Sequence, residues 1–227
     1  MNGMWTLLLL ILSAVLPLII VFFWLKIRKI QITLPWFLAA MAAGIASIFA
    51  AALIQNLFSH PEIDGLGQLL FGIFIRIAMV EEAARLLTLI PLIRTGKRLK
   101  NADLTFSAAI GLVAGLGFAA AENASYGMSD INITLLRVFT AAPLHGACGL
   151  RAGAAIFFIS RNLPKSLFLF VSAVIIHGAY NLMIVSPALP SLLAAATALI
   201  ALIISLPLLN ASGKEKENIE ISTKHIQ

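Results

Sequence analysis

The chain alternates long apolar runs with short polar links. Apolar runs occupy residues near 5–25, 34–58, 67–93, 104–122, 133–158, 167–185 and 189–209. A helix needs about 20 apolar residues to cross the hydrocarbon core of a bilayer, and every run is close to that length or longer. A membrane β-barrel would show alternating segments of roughly ten residues instead, and this sequence has none. The pattern predicts an all-α, polytopic membrane helix bundle with about seven transmembrane helices. The first run lacks the basic start and small-residue cleavage site of a signal peptide. It ends in Lys26, Arg28 and Lys29 and is expected to stay in the mature protein. Residues 211–227, ASGKEKENIEISTKHIQ, break abruptly into polar character. The expected organisation is one transmembrane domain over 1–210 and a polar cytoplasmic tail over 211–227.

Composition agrees. Of 227 residues, 60% are hydrophobic and only 11% charged, against about 25% charge in a soluble domain. The formal charge of +6 does not point to nucleic acid, because the basic residues cluster in short links. The links after the first, third and fifth runs hold Lys26, Arg28, Lys29; Arg94, Lys97, Arg98, Lys100; and Arg161, Lys165. The segment after the seventh run holds Lys214, Lys216 and Lys224. The intervening links carry Glu62, Asp64 and Asp130 and no Lys or Arg. Basic links therefore alternate with non-basic ones, which places the N-terminus outside and the C-terminus in the cytoplasm. Trp5, Trp24 and Trp36 fall at the expected interfaces. The single cysteine, Cys148, lies in an apolar run and reads as core packing.

Several charges lie where lipid would penalise them. The third run holds Arg76, Glu81, Glu82 and Arg85. Glu122 closes the fourth, Arg137 and His145 lie in the fifth, and His177 lies in the sixth. Each charge at the bilayer centre costs roughly 2.5–3.5 kcal/mol even on lenient scales, which forces Glu81, Glu82 and Arg85 inward, toward water or one another. Glu81 and Glu82 both lie within a helical turn of Arg85. The two carboxylates stand about 100° apart around the helix, so one of them is expected to face any shared site squarely. At 1.5 Å per residue, Glu81, His145 and His177 reach similar depths near the midplane, with Glu122 nearer the outer face. Gly111, Gly115 and Gly117, with Gly149 and Gly153, supply the small-residue spacing that lets helices approach closely. Asn181, one turn after His177, is placed to orient that ring. His60 and His225 lie in polar segments and carry no expected role.

The motifs now assemble in order: VEEAAR at 80–85, FAAAENASY at 118–126, Arg137, PLHG at 143–146 and HGAYN at 177–181. This order resembles the PrsW family of intramembrane proteases and is more distantly similar to the CAAX-processing and bacteriocin-immunity membrane proteases. The resemblance covers about 67–185. It implies hydrolysis of peptide bonds in membrane-anchored proteins, anti-sigma-factor-like regulators among them. The implied catalytic residues are Glu81, Glu82, Glu122, His145 and His177, supported by Arg85, Asn123, Arg137 and Asn181. Arg85 stands where the family pattern has Lys. Arg keeps the charge and does not give up its proton, so a charge-pairing role remains.

Two mechanisms fit these residues. In one, a divalent metal, zinc, is held by His145 and His177 with Glu81, Glu82 or Glu122, while another glutamate acts as base. The H-E-x-x-H helix of many zinc proteases is absent. In the other, glutamic-type, there is no metal: a glutamate of the 81/82 pair activates water, and a histidine with Asn123 stabilises the oxyanion. The expected partners are a single-pass membrane protein substrate and membrane lipid, and the expected location is the cytoplasmic membrane. Two further readings compete: a non-catalytic scaffold on the same fold, and a proton- or ion-coupled transporter built on midplane Glu and His. The absence of an internal repeat counts against the transporter.

Overall fold

The computed structural model describes residues 3–58, 65–98, 103–127, 131–186 and 190–210. His60, Glu62, Asp64, Lys100, Asp130 and the tail 211–227 lie outside them. The described elements are α1 (Gly3–Ile27), α2 (Leu34–Asn56), α3 (Leu66–Phe71), a π-helical segment (Gly72–Met79), α4 (Val80–Arg98), α5 (Leu104–Gly127), α6 (Ile131–Phe158), α7 (Leu163–Val185) and α8 (Ser191–Ser205), closed by a 3₁₀ turn at Leu206–Leu209. All of them are helical, and they coincide with the apolar runs. Local chemistry sets their starts. Pro35 and Pro164 sit in the first turns of α2 and α7, where the missing N–H costs nothing. Asn162 caps α7 by accepting from the Lys165 backbone N–H at 3.0 Å.

Four helices are long and apolar enough to cross a membrane by length and composition: Leu34–Asn56, Leu104–Tyr126, Leu163–Val185 and Leu192–Leu209. Two of the remaining predicted spans, the third and the fifth, fall short of that description for a physical reason. The third is interrupted by the π segment and carries Arg76, Glu81, Glu82 and Arg85. The fifth carries Arg137, His145 and Arg151.

The helix α5 lies at the centre. Its spanning stretch is 89% buried, against 28% for each of the other three. Small residues make this possible. A side chain at Gly111 would collide with the carbonyl of Gly149, and one at Gly149 would collide with Gly111. Gly115 abuts the carbonyl of His145, and Gly153 that of Ser107. The backbones of α5 and α6 therefore touch along three turns, as the glycine spacing predicts. Gly44 of α2 meets Ala114 and Gly117 meets Met41, so α2 locks against another face of α5. The outer faces are large and apolar: Phe49, Leu53, Leu87, Phe139, Phe168 and Leu192 are all more than 60% exposed. Such faces suit lipid contact.

Candidate active site

The first turn of α4 begins where the π segment ends. It carries Glu81 and Glu82, with Arg85 one turn on. Glu82 and Arg85 are both 0% exposed and form an ion pair through Arg85 Nη1 and Glu82 Oε2. Two fully buried charges survive only when paired and hydrogen-bonded. The second oxygen of Glu82, Oε1, lies 2.8 Å from Nδ1 of His177 on α7. The other nitrogen of that ring, Nε2, lies 3.5 Å from Glu81 Oε2. Both carboxylates therefore reach His177, where their angular separation predicted that one would face the site. The ring stands between the two side-chain directions and meets each with a different nitrogen.

The second half of the cluster comes from α5 and α6. Nε2 of His145 lies 2.8 Å from Glu122 Oε2. Nδ1 of His145 lies 3.2 Å from Arg85 Nη2. Arg85 thus joins the Glu82–His177 half to the His145–Glu122 half. The two imidazoles meet edge to face, with centroids 5.0 Å apart. Glu122 also pairs with Arg137 Nη2 at 2.6 Å, and Arg137 Nε donates to Asn123 Oδ1 at 2.9 Å. Arg137 covers the ring of Tyr126 at 4.2 Å. The depth of His145 relative to Glu122 follows from the glycine contact: Gly115 touches the His145 backbone, and Glu122 lies two turns further along the same helix. Glu122, expected nearer the outer face than His145, is nonetheless within hydrogen-bond reach of its ring.

Four helices therefore bring together Glu81, Glu82, Arg85, Glu122, Asn123, Arg137, His145 and His177. Asn181 does not join them. No hydrogen bond links it to His177 among the described residues, and Glu82 orients that ring instead. Phe118, which opens the FAAAENASY motif, also lines the cluster, although nothing in the sequence singles it out. Its ring lies 4.7 Å from the Arg85 guanidinium and 4.8 Å from the His145 ring, one helical turn before Glu122. Arg151, equally unassigned from sequence, is buried between helices. Its Nε donates to Ser205 Oγ at 3.0 Å and its Nη1 to Ser172 Oγ at 2.7 Å, which joins α6 to α7 and α8. Its position in an apolar run was the signal available for it.

The donor set suits a metal ion. Glu82, His145 and His177 each offer a ligand atom, and these atoms lie within 4.8 Å of one another. Two imidazoles and a carboxylate are the ligand types of many catalytic zinc sites. A second sign is Glu81 Oε2, which is buried without a hydrogen-bond partner. Buried polar atoms are seldom left so, and an ion or a polarised water would satisfy it.

The fold and the site define a class: a helical membrane protein whose interior gathers carboxylates and imidazoles able to hold a metal. The model of the PrsW family intramembrane metalloprotease matches residues 33–210, most of the chain, and the protein belongs to that family. It is an enzyme, an intramembrane peptidase and integral membrane protein that acts on membrane-embedded substrates. No curated protein and no solved structure matches it.

Proposed function

We propose that this peptidase cleaves single-pass membrane-anchored proteins, with regulators of the anti-sigma-factor type as the substrate class, and that the buried Glu–His cluster carries the chemistry. The observation that supports this most directly is the arrangement of Glu81 and Glu82 around His177, with Glu81 Oε2 3.5 Å from Nε2 and making no hydrogen bond. Peptide hydrolysis needs a group that takes a proton from water, and Glu81 is the carboxylate with an oxygen to spare. It is also the more accessible one, its side chain 14% exposed against 1% for Glu82.

Glu82, His145 and His177 would hold a divalent ion, zinc by this reading. When bound, the ion would supply Lewis-acid polarisation and a more acidic water. The chain's own residues do the rest. Glu82 fixes the His177 ring through Nδ1 and leaves Nε2 facing Glu81. Glu122 fixes His145, and Arg137 and Asn123 fix Glu122 and its neighbourhood. Phe118 closes the apolar wall. Glu81 accepts the proton of water and passes it to the leaving amine. A second, metal-free reading has its own support: Arg85 already places a cation between Glu82 and His145. There Glu81 activates water unaided, and a histidine with Asn123 stabilises the oxyanion.

Seven spans, with the N-terminus outside, the C-terminal tail in the cytoplasm and the cytoplasmic membrane as the location, complete the proposal. The single membrane domain is then 1–210. This topology sets Glu122 and Arg137 toward the outer face, so cleavage falls in the outer half of the substrate segment or just outside it. A cavity of about 370 Å³ between Gln55, Phe58 and the π-segment residues Ile75, Arg76 and Met79 ends at Val80, the neighbour of Glu81. It offers room for an unwound substrate segment.

The test is co-expression in membranes with a panel of tagged single-pass proteins. Wild type should cleave at least one of them. Glu81→Ala, Glu82→Gln, His145→Ala and His177→Ala, each present at normal levels, should not. Cleavage unchanged in all four overturns the site. Loss of assembly with no cleavage by wild type favours the scaffold, and flux in liposomes that depends on Glu81 favours the transporter.

A further inference from the structure

Arg85 leaves His145 without a free lone pair. A guanidinium carries donors and no acceptor. Its Nη2, 3.2 Å from Nδ1 of His145, must therefore donate, and Nδ1 must supply its lone pair. The proton of a neutral imidazole then sits on Nε2, where Glu122 Oε2 accepts it at 2.8 Å. Both ring nitrogens are engaged.

A metal ion has two ways to bind this ring, and Arg85 opposes both. Coordination through Nδ1 uses the lone pair that Arg85 already uses. Coordination through Nε2 moves the ring proton to Nδ1, where it faces the guanidinium N–H, donor against donor. The same guanidinium holds Glu82, a second member of the metal-binding set, through Nη1. We infer that Arg85 and a metal ion are alternative partners of His145: the guanidinium holds the ligands together in the absence of the ion and must leave Nδ1 when His145 coordinates one. The inference rests on the metal reading above. Arg85 Nε is buried with no hydrogen-bond partner, so the side chain is one bond short in its present place.

Arg85 is in this sense a positioning residue that sets the metal affinity of the site. A hydrogen bond to a charged group is worth roughly tenfold or more in an equilibrium, which sets the size of the expected effect. The experiment is a cobalt(II) titration of the purified full-length protein in detergent, first stripped of metal with a chelator, read from the visible absorption of the bound ion. The proteins are wild type, Arg85→Gln, Arg85→Lys, and Arg85→Gln combined with His145→Gln. Arg85→Gln should bind cobalt at least about tenfold more tightly than wild type. Arg85→Lys keeps the charge but loses the two-armed grip, and should fall between the two. Removing His145 should cancel the gain. Elution profile and thermal unfolding check the fold, and Arg85→Lys carries the test if Arg85→Gln does not fold. Equal binding in all the variants, weaker binding without Arg85, or a gain that survives loss of His145 overturns the inference and leaves the metal reading standing. No cobalt bound to any variant overturns both.

Discussion

His177 Nδ1 lies 2.8 Å from Oε1 of Glu82, a residue 95 positions earlier in the chain. That contact ties α7 to α4 at the one point where a buried carboxylate also holds Arg85. Glu82→Ala leaves the Arg85 guanidinium buried without its anion. Breaking a buried pair in this way costs about 3–5 kcal/mol. The expected result is a sharply lower unfolding temperature in detergent and little folded protein. Glu82→Gln keeps the shape and an acceptor oxygen and should lose less.

Glu81 should behave differently. Its Oε2 makes no hydrogen bond, so Glu81→Gln removes a proton acceptor and little structure. Cleavage should fall by roughly 10²–10⁴-fold, the usual worth of a general base, while the unfolding temperature stays near that of wild type. A parallel fall in both would make Glu81 a structural residue.

Arg137 acts on the site through Glu122 and Asn123, which it bonds at 2.6 and 2.9 Å. Loss of such an outer partner typically costs about 10–100-fold. Arg137→Ala should lower turnover by that order, and Arg137→Lys should restore part of it, since Lys returns the charge without the fork. Cleavage kinetics on one substrate would show the ranking.

The α5–α6 contact should tolerate no side chain. A Cβ at Gly111 would sit 2.1 Å from the Gly149 carbonyl oxygen, far inside van der Waals contact. Gly111→Leu must push the helices apart and with them Glu122 and His145. We expect a loss of about 1–3 kcal/mol or more, as for overpacked cores, seen as early thermal unfolding. Gly67, with open space around it, is the control position, and Gly67→Ala should be close to silent.

Metal dependence separates the two mechanisms. The purified enzyme should contain close to one equivalent of zinc by atomic absorption, lose activity to a strong chelator and regain it on adding zinc. Full activity in metal-free protein would sink the zinc mechanism and leave Glu81, with a histidine and Asn123 at the oxyanion, as the working set.

Much of the site was legible because lipid makes polar residues conspicuous. A charge in an apolar run has few places to go, and Glu81, Glu82, Glu122, His145 and His177 announced themselves by that rule. The same rule applied to Arg151, whose partners are two serines that blend into an apolar helix and signal nothing. Phe118 was invisible for the opposite reason: an aromatic ring among aromatic and aliphatic neighbours marks no site until a guanidinium is seen beside it. Asn181 shows the limit of spacing arguments. One helical turn puts it on the face of His177, yet Glu82 from another helix reaches the ring first.

The sequence by itself determined the helices, their order and the set of charges that must face inward. Those follow from the cost of apolar surface in water and of charge in lipid, both of which are local and additive along the chain. Which nitrogen meets which oxygen was decided only by the tertiary structure. That depends on how far each helix rotates and slides against the next, and here the glycine contacts of α5 with α6 and the π segment before Glu81 set those angles. Rotation and register are properties of pairs of helices. The helical periodicity of a single segment carries no information about them, so the meeting of Arg85 with His145 and of Glu82 with His177 emerges only when the bundle is assembled.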